Sequence, residues 1–522
     1  MLTPILLVAV AFAIAVALHA TLAIQHLLLQ RQHARALGCQ PPRKAANGVL
    51  GIPGFLRMAR SVREKRWLYY LQEQYRLHGT TFAANLFGRT VVMTIEPENL
   101  RALLATRFHD FGLGTRHREF YPLLGDGIFT LDGAGWSHAR ALLRPQFTRD
   151  QVADLALLDA HVSRMIDLVP RDGAAFDIQR LFYRLTMDSA THFLFGESVG
   201  SLLAEPESTA DAQGFAEAFA LAQDYLVARS RAQDLYWLVN PRRYRAAIRT
   251  VHDLVDRYVR LALEQRQQQP EPEQQETKAN RYIFLRALAA ETQDPKVLRD
   301  NLLNVLLAGR DTTASLLSST VYLLARHPAV WRRLREVVVG ALAEEDKEGI
   351  THARLKDIPY LRYVLNEALR LYPPVPLNFR VATTDTALPV GGGPDQTAPV
   401  YVRRGTIVAY NVFAMHRRTD LWGADAHVFR PERWAEKKNA RRGWDYLPFN
   451  GGARICLGQQ YALTEASYTL VRLMQQFDTL EMAEPMHDDD DDEPVLVSTL
   501  TMSHDRGVRV RLYSGSNLIN KN

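Results

Sequence analysis

The stretch PFNGGARICLG, residues 448–458, holds Cys456, one of two cysteines in 522 residues. Phe449, Gly452, Arg454, Cys456 and Gly458 stand in the spacing F-x-x-G-x-R-x-C-x-G. Gly451, Gly452 and Gly458 give a backbone that turns freely and lets another surface come close. The run QQYALTEASYTLVRLMQQF (459–477) reads as a helix, so the cysteine sits just before a helix N-terminus. Backbone N–H groups there favour a thiolate and lower the thiol pKa. A zinc site needs further Cys or His ligands close by, and this stretch has none. No local pattern supports a Cys/His nucleophile pair. A thiolate as the axial ligand of a haem iron accounts for more. The glycines admit the macrocycle, Phe449 packs near the sulfur, and Arg454 can pair with a haem propionate.

A second group lies in a helix expected from Pro295 to His327. Asp294 is its N-cap, Pro295 opens the first turn and Pro328 ends it. The flanks NLLNVLL and ASLLSSTVYLLA are apolar on most faces, so the helix is buried. Inside lies a polar island, AGRDTT (308–313). Gly309 costs ~1 kcal/mol against alanine, and Thr312 and Thr313 can bond back to a carbonyl and bend the helix. An acid and an alcohol, Asp311 and Thr312, at such a break suit a proton relay to bound dioxygen.

Two further sets support these. Glu367 and Arg370 stand at i, i+3 in YLRYVLNEALRLYPP (360–374), and FRPERW (429–434) offers Arg433. In a buried helix such charges must pair. Trp136 and Arg140 stand at i, i+4 on one helix face in WSHARALLRPQF, within reach of a propionate, and Arg380 can meet the other. Arg144, Arg332, Arg333, Arg441 and Arg442 are candidates to face an acidic electron donor.

The net charge of +6 is spread along the chain with no Lys/Arg run, which excludes a nucleic-acid tail. With Cys39 and Cys456 as the only cysteines, a disulfide framework is excluded too. PILLVAVAFAIAVALHATLAI runs from Pro4 to Ile24 without Asp, Glu, Lys or Arg. That is long enough to span ~30 Å of hydrocarbon, and longer than the core of a cleaved leader. Arg31, Arg35, Arg43 and Lys44 follow it, which places the body in the cytosol. The expected division is an anchor at 1–30, a basic, Pro-containing linker at 31–50 and a catalytic body at 51–522.

In the body, strands are expected near Thr80–Leu86 and Thr90–Ile95, then mostly helices over 97–372. Residues 264–280 read as a solvated loop, and Asp488–Asp492 as a loop tip. Extended segments return at 380–393 and 405–412, with a last hairpin at 498–512. The class is α+β, mainly α with small β-sheets.

In this order the four motifs resemble those of the cytochrome P450 superfamily, over essentially the whole chain. The resemblance implies its triangular, mostly helical fold with an N-terminal transmembrane helix. It implies Cys456 as axial ligand of a non-covalent haem b, Asp311 and Thr312 as the oxygen-activating pair, and Glu367, Arg370 and Arg433 as a structural triad. Trp136, Arg140, Arg380, Phe449, Arg454 and Gly458 would surround the cofactor. It implies electrons from NADPH through a cytochrome P450 reductase at the endoplasmic reticulum membrane, with cytochrome b5 as a second candidate donor. RLTMDSATHFLFGESV, LAGRDTTASLLS, LPFNGGARICLGQQYALTEASY and TLTMSHDRGVRV look like the fungal family that hydroxylates alkanes and fatty acids at the terminal carbon. The pocket would include Val305, Ala308, Leu377 and Leu500, whose apolar character suits a hydrocarbon chain, a terpenoid or a polyketide alike. The alternatives are a tailoring hydroxylase of a secondary metabolite and a haem-thiolate protein that binds or rearranges a ligand without activating dioxygen.

Overall fold

Alternating and β-branched residues at 81–94 pair into an antiparallel ladder, Thr81–Leu86 (β2) with Arg89–Thr94 (β3). In this computed structural model they form the middle of a six-stranded sheet, with Arg43–Lys44 (β1), Phe111–Gly112 (β4), Leu377–Ala382 (β6) and Ile407–Asn411 (β9), in the order β1-β2-β3-β9-β6-β4. Thr386–Gly392 (β7) and Ala398–Val402 (β8) make a separate antiparallel pair. The structure describes residues 2–45, 48, 51–86, 89–147, 155–203, 210–268, 283–342, 349–436, 439, 442–484 and 493–514. The chain divides into two compact units. The smaller comprises residues 1–57, 73–112 and 379–410 and carries these sheets.

The expected apolar span falls in α1 (Leu2–Ala36), a single helix of 35 residues. Among the described residues, however, no helix is long and apolar enough to cross a membrane, so the transmembrane assignment is not part of the fold shown here. Polar His19, Thr21 and Gln25 interrupt the apolar run before its basic end.

The larger unit comprises residues 58–72, 113–378 and 411–522 and is mainly helical. Six of its helices matter here: α2 (Gly133–Leu143), α3 (Ile178–Phe195), α4 (Ala210–Ala232), α5 (Pro295–Arg326), α6 (Pro359–Leu371) and α7 (Gln459–Gln476). The Asp294 carboxylate accepts from the backbone of Lys296 and Val297 and starts α5, as expected. Pro328 stops α5 and at once opens the next helix, Pro328–Leu342. Asp177 caps α3 at Gln179 N, and Gly196 ends it in the left-handed region at φ +82°. The apolar residues of α3, α5, α6 and α7 share one large core.

The segment expected as a closing hairpin at 498–512 is not one. Met502–His504 (β12) pairs back with Leu496–Ser498 (β11), whereas Arg509–Tyr513 (β13) pairs with Thr479–Met482 (β10) and Phe176–Asp177 (β5). The partners of β13 come from far away in the chain, and local pattern gives no sign of them. Residues 264–268, expected in a loop, belong to the helix Arg242–Gln268. The rest of that loop, the acid run and Arg441 lie outside the described residues.

Candidate active site

The cysteine loop is shaped by its backbone. Asn450 and Gly452 both take positive φ, +62° and +65°. A side chain on Gly451 would meet the Trp444 ring at 2.8 Å. The Cys456 amide donates to Phe449 O at 3.0 Å and closes the loop. Phe449 packs on the main core. Gly458 is the N-cap residue of α7.

The Cys456 side chain is exposed, yet burial within the body is the main influence on its thiol. A thiol that is open and at the same time deeply surrounded faces a space inside the fold. Burial pushes its pKa up, while the Gly458 N–H and Arg140 pull it back. The helix terminus therefore does not win in the protein alone, contrary to the sequence expectation. A cation bound to the sulfur would reverse this balance. Among the described residues no three His, Cys, Asp or Glu side chains converge as a metal site.

Around the loop, Arg140 Nη1 donates to Ile455 O at 3.0 Å and its guanidinium lies 5.8 Å from the Trp136 ring. Arg454 stacks on the same ring at 4.5 Å, donates to Ile128 O and Leu131 O, and pairs with Asp132 at 2.7 Å. The structure thus brings Trp136, Arg140, Arg454 and Cys456 together. Arg380 belongs to the smaller unit, where it is buried and lies 6.0 Å from the Tyr410 ring.

Helix α5 is buried along both flanks, but Leu307–Arg310 and Thr312 are partly open. That is the polar island. Thr312 Oγ1 donates to Ala308 O at 2.6 Å, the expected back-bond, but the helix runs through it without the expected break. Thr313 makes no such bond; its hydroxyl is buried and turned toward Glu465. Arg310 Nη1 stands 3.2 Å from Asp311 Oδ1. Burial raises the Asp311 pKa, and Arg310 lowers it. An open thiol loop and a locally exposed stretch of α5, each deeply surrounded, fit a flat apolar cofactor with carboxylate arms.

Glu367, Arg370 and Arg433 meet as one cluster with no solvent exposure. Arg370 Nη2 and Arg433 Nε lie 2.8 and 2.7 Å from Glu367 Oε1. Trp434 Nε1 and the Arg430 amide also donate to this carboxylate. The two guanidiniums fasten the carbonyls of His416, Trp422, Asp425, Ala426 and Val428. Sequence reasoning missed His416, which links this cluster to the chain entering the cysteine loop. It lies 46 residues from Arg370 with no periodic signal; its only mark is a place in an apolar run, YNVFAMH.

Of the expected pocket residues, Val305 and Leu500 share one apolar cluster with Phe215, Phe219 and Phe129. Ala308 and Leu377 are half-buried outside it. Among the proposed donor-facing arginines, Arg144 and Arg332 are exposed. Arg333 is paired with Glu432 at 2.7 Å. Arg442 is not a free surface charge: it is half-buried and bonded to Asp445, Asn439 and Leu421 O.

The cytochrome P450 family model matches residues 52–504. Cytochrome P450 52A12 of Debaryomyces hansenii is 49% identical over 490 residues, covering 92% of this chain and 93% of that protein. Cytochrome P450 52A3-B of Candida maltosa is 45% identical over 496 residues, with the same coverage of 92% and 93%. A crystal structure of a cytochrome P450 shares the fold at a TM-score of 0.73 and 24% identity, covering 91% of this chain and 99% of that one. With a thiol loop and a buried Glu–Arg–Arg cluster in place and the match running over nearly the whole length, the chain belongs to the cytochrome P450 family of haem monooxygenases.

Proposed function

We propose that this monooxygenase hydroxylates long-chain fatty acids or n-alkanes at the terminal carbon. The observation that carries the reading is the apolar cluster that Val305 and Leu500 share with Phe129, Phe215 and Phe219. It offers a hydrocarbon chain phenyl and branched aliphatic surfaces. The similarity at 45–49% identity to cytochrome P450 52A proteins of yeasts supports it.

Cys456 would hold the haem iron, with Trp136, Arg140 and Arg454 toward its carboxylates and Phe449 and Gly458 packed beside the sulfur. When bound, the haem supplies dioxygen binding and one-oxygen transfer to an unactivated C–H bond. The chain does the rest. The apolar cluster excludes water and aims the substrate. Asp311 carries a proton at a carboxyl that burial keeps basic enough to accept it back. The Thr312 hydroxyl donates its hydrogen bond to Ala308 O, which leaves its lone pairs free to accept. The Glu367–Arg370–Arg433 cluster holds the approach to the cysteine loop. An intact acid and alcohol favour oxygen activation over simple ligand binding.

The domain reading is 1–30 as anchor, 31–50 as linker and 51–522 as catalytic body. Phe12, Leu18 and Leu22 are exposed on α1, which supports a lipid-facing helix with the body on the cytosolic face of the endoplasmic reticulum. Electrons would come from NADPH through its reductase, with cytochrome b5 as an accessory donor.

The test is turnover. Membranes with the protein, reductase and NADPH are given fatty acids and alkanes of roughly 12–18 carbons, and products are read by mass spectrometry. Terminal alcohols or diacids support the reading. No product from a preparation with intact haem-thiolate spectra discards the lipid. Cys456→Ala should lose the haem; retained haem with unchanged spectra would remove Cys456 as ligand.

A further inference from the structure

Lys296, Asp300 and Asn304 follow one another at four-residue steps and so share one face of α5. Against that face lies a strap of chain, residues 124–131, fastened at each helical turn. Asp300 Oδ2 accepts from Asp126 N at 2.9 Å, and Lys296 Nζ bridges Asp300 and Asp126 at 2.8 and 2.7 Å. Asn304 Oδ1 accepts from Phe129 N at 3.1 Å, while its Nδ2 donates to Leu124 O at 3.0 Å. A β-carbon on Gly125 or Gly127 would run into the Asp300 or Asn304 side chain, so these glycines let the strap lie this close. Thr130 Oγ1 closes the strap on itself, donating to Gly125 O and accepting from Gly127 N. From the other side Arg454 donates to Ile128 O and Leu131 O.

Asp300 and Asn304 are fully buried, so a bond lost there is not replaced from bulk water. A stranded buried amide costs about 1–3 kcal/mol, and the strap recovers that only by moving. The amide that Asn304 holds belongs to Phe129, which packs on the apolar cluster of Val305 and Leu500. Val305 follows Asn304 directly in α5. The helix thus supplies one member of the cluster itself and sets the place of another through Asn304. We propose that Asn304 determines specificity as a positioning residue: with Asp300 it fixes the strap, and through the Phe129 amide it fixes where that residue bounds the substrate. Both ends of the Asn304 amide are taken by the strap, so it acts through Phe129. This rests on the reading of the cluster as the substrate pocket, and the test separates the two.

The test compares the full haem-loaded protein with Asn304→Ala, Gly127→Ala, Phe129→Ala and the double variant of Asn304→Ala with Phe129→Ala, at matched haem content. The readout independent of turnover is absorption titration with imidazole and with dodecylimidazole. Both ligate haem iron through nitrogen, and only the second carries a tail into the pocket. Imidazole should bind every variant as it binds the parent. Dodecylimidazole should bind Asn304→Ala and Gly127→Ala about tenfold more weakly, the scale of one misplaced wall contact. In the Phe129→Ala background Asn304→Ala should add almost nothing, because the ring it positions is gone. With a fatty acid as substrate, the ratio of terminal to subterminal alcohol should fall in the same two variants. Parental affinity for the long-tailed probe in both, or effects of Asn304→Ala and Phe129→Ala that add, would overturn the proposal. Equal weakening of both probes would overturn it too, since Asn304 would then serve general packing. Should Asn304→Ala load no haem, Lys296→Met, at a side chain 43% exposed, cuts the bridge to Asp126 and should weaken the long-tailed probe alone. If Phe129→Ala binds that probe like the parent, the cluster is not the pocket and the proposal falls with that reading. If the probes behave as expected and no fatty acid is turned over, the lipid substrate falls and the positioning role stands.

Discussion

His416 accepts the Leu447 amide proton at Nε2, 2.9 Å away, while its Nδ1 lies 3.1 Å from Arg370 O. A ring nitrogen that accepts an N–H leaves the other to donate, so the imidazole is neutral with its proton on Nδ1. Burial, with Arg370 close by, holds its pKa well below the ordinary histidine range. The unfolded chain takes up a proton near pH 6.5 that the folded chain refuses. The stability His416 contributes is therefore present above that pH and lost as pH falls through it. Denaturant midpoints measured from pH 7.5 to 5.5 should fall in the parent and fall less in His416→Gln. Equal slopes would take His416 out of the acid response.

The buried cluster and the surface pair should differ in strength. Removing one member of a buried ion pair strands its partners and costs about 3–5 kcal/mol. Exposed pairs are worth about 0–1 kcal/mol. Glu367→Gln should lower unfolding free energy by the larger amount, Arg333→Ala, which breaks the surface pair with Glu432 and the stacking on Tyr360, by the smaller. A similar small loss from both would mean that the cluster is relaxed by water.

Glu465, on α7, accepts from Ser189 in full burial, and burial pushes its carboxyl up to about 7 from 4.5. Here the folded form holds the proton more tightly than the unfolded one. Stability declines as pH rises from the unfolded pKa through the folded one. Glu465→Gln should stabilise by about 3 kcal/mol at pH 8 and by almost nothing at pH 4.5. A pH-independent difference would mean the carboxyl is not the titrating group.

Thr312→Ala removes the donor to Ala308 O and the lone pairs free to accept. Peroxide released per NADPH consumed should rise several-fold, on the scale of one lost proton-handling group, while Thr312→Ser should keep most of the coupling. Unchanged coupling in both would remove the hydroxyl from the relay.

The local parts of this architecture were legible from residue types alone. Asp294 and Pro295 announce α5, and the glycines announce the loop around Cys456. Glu367 and Arg370 signal burial because two charges sit among apolar neighbours on one helix. What could not be read depends on residues far apart. The partners of β13 come from residues 176–177 and 479–482. The role of His416 needs Arg370 and Leu447 at once. Arg442 looked like surface charge because nothing in sequence shows Asp445, Asn439 and Leu421 O closing on it.

Leu500 rides on the reversal between β11 and β12, where Thr499 N donates to Thr501 O at 3.0 Å and Met502 N to Pro374 O at 2.9 Å. The backbone on both sides is tied down, but the side chain projects into the apolar cluster. Exchanging this one side chain asks nothing of any helix. Substitution at this one position can therefore reshape that part of the cluster while the hydrogen-bonded backbone that carries it stays in place.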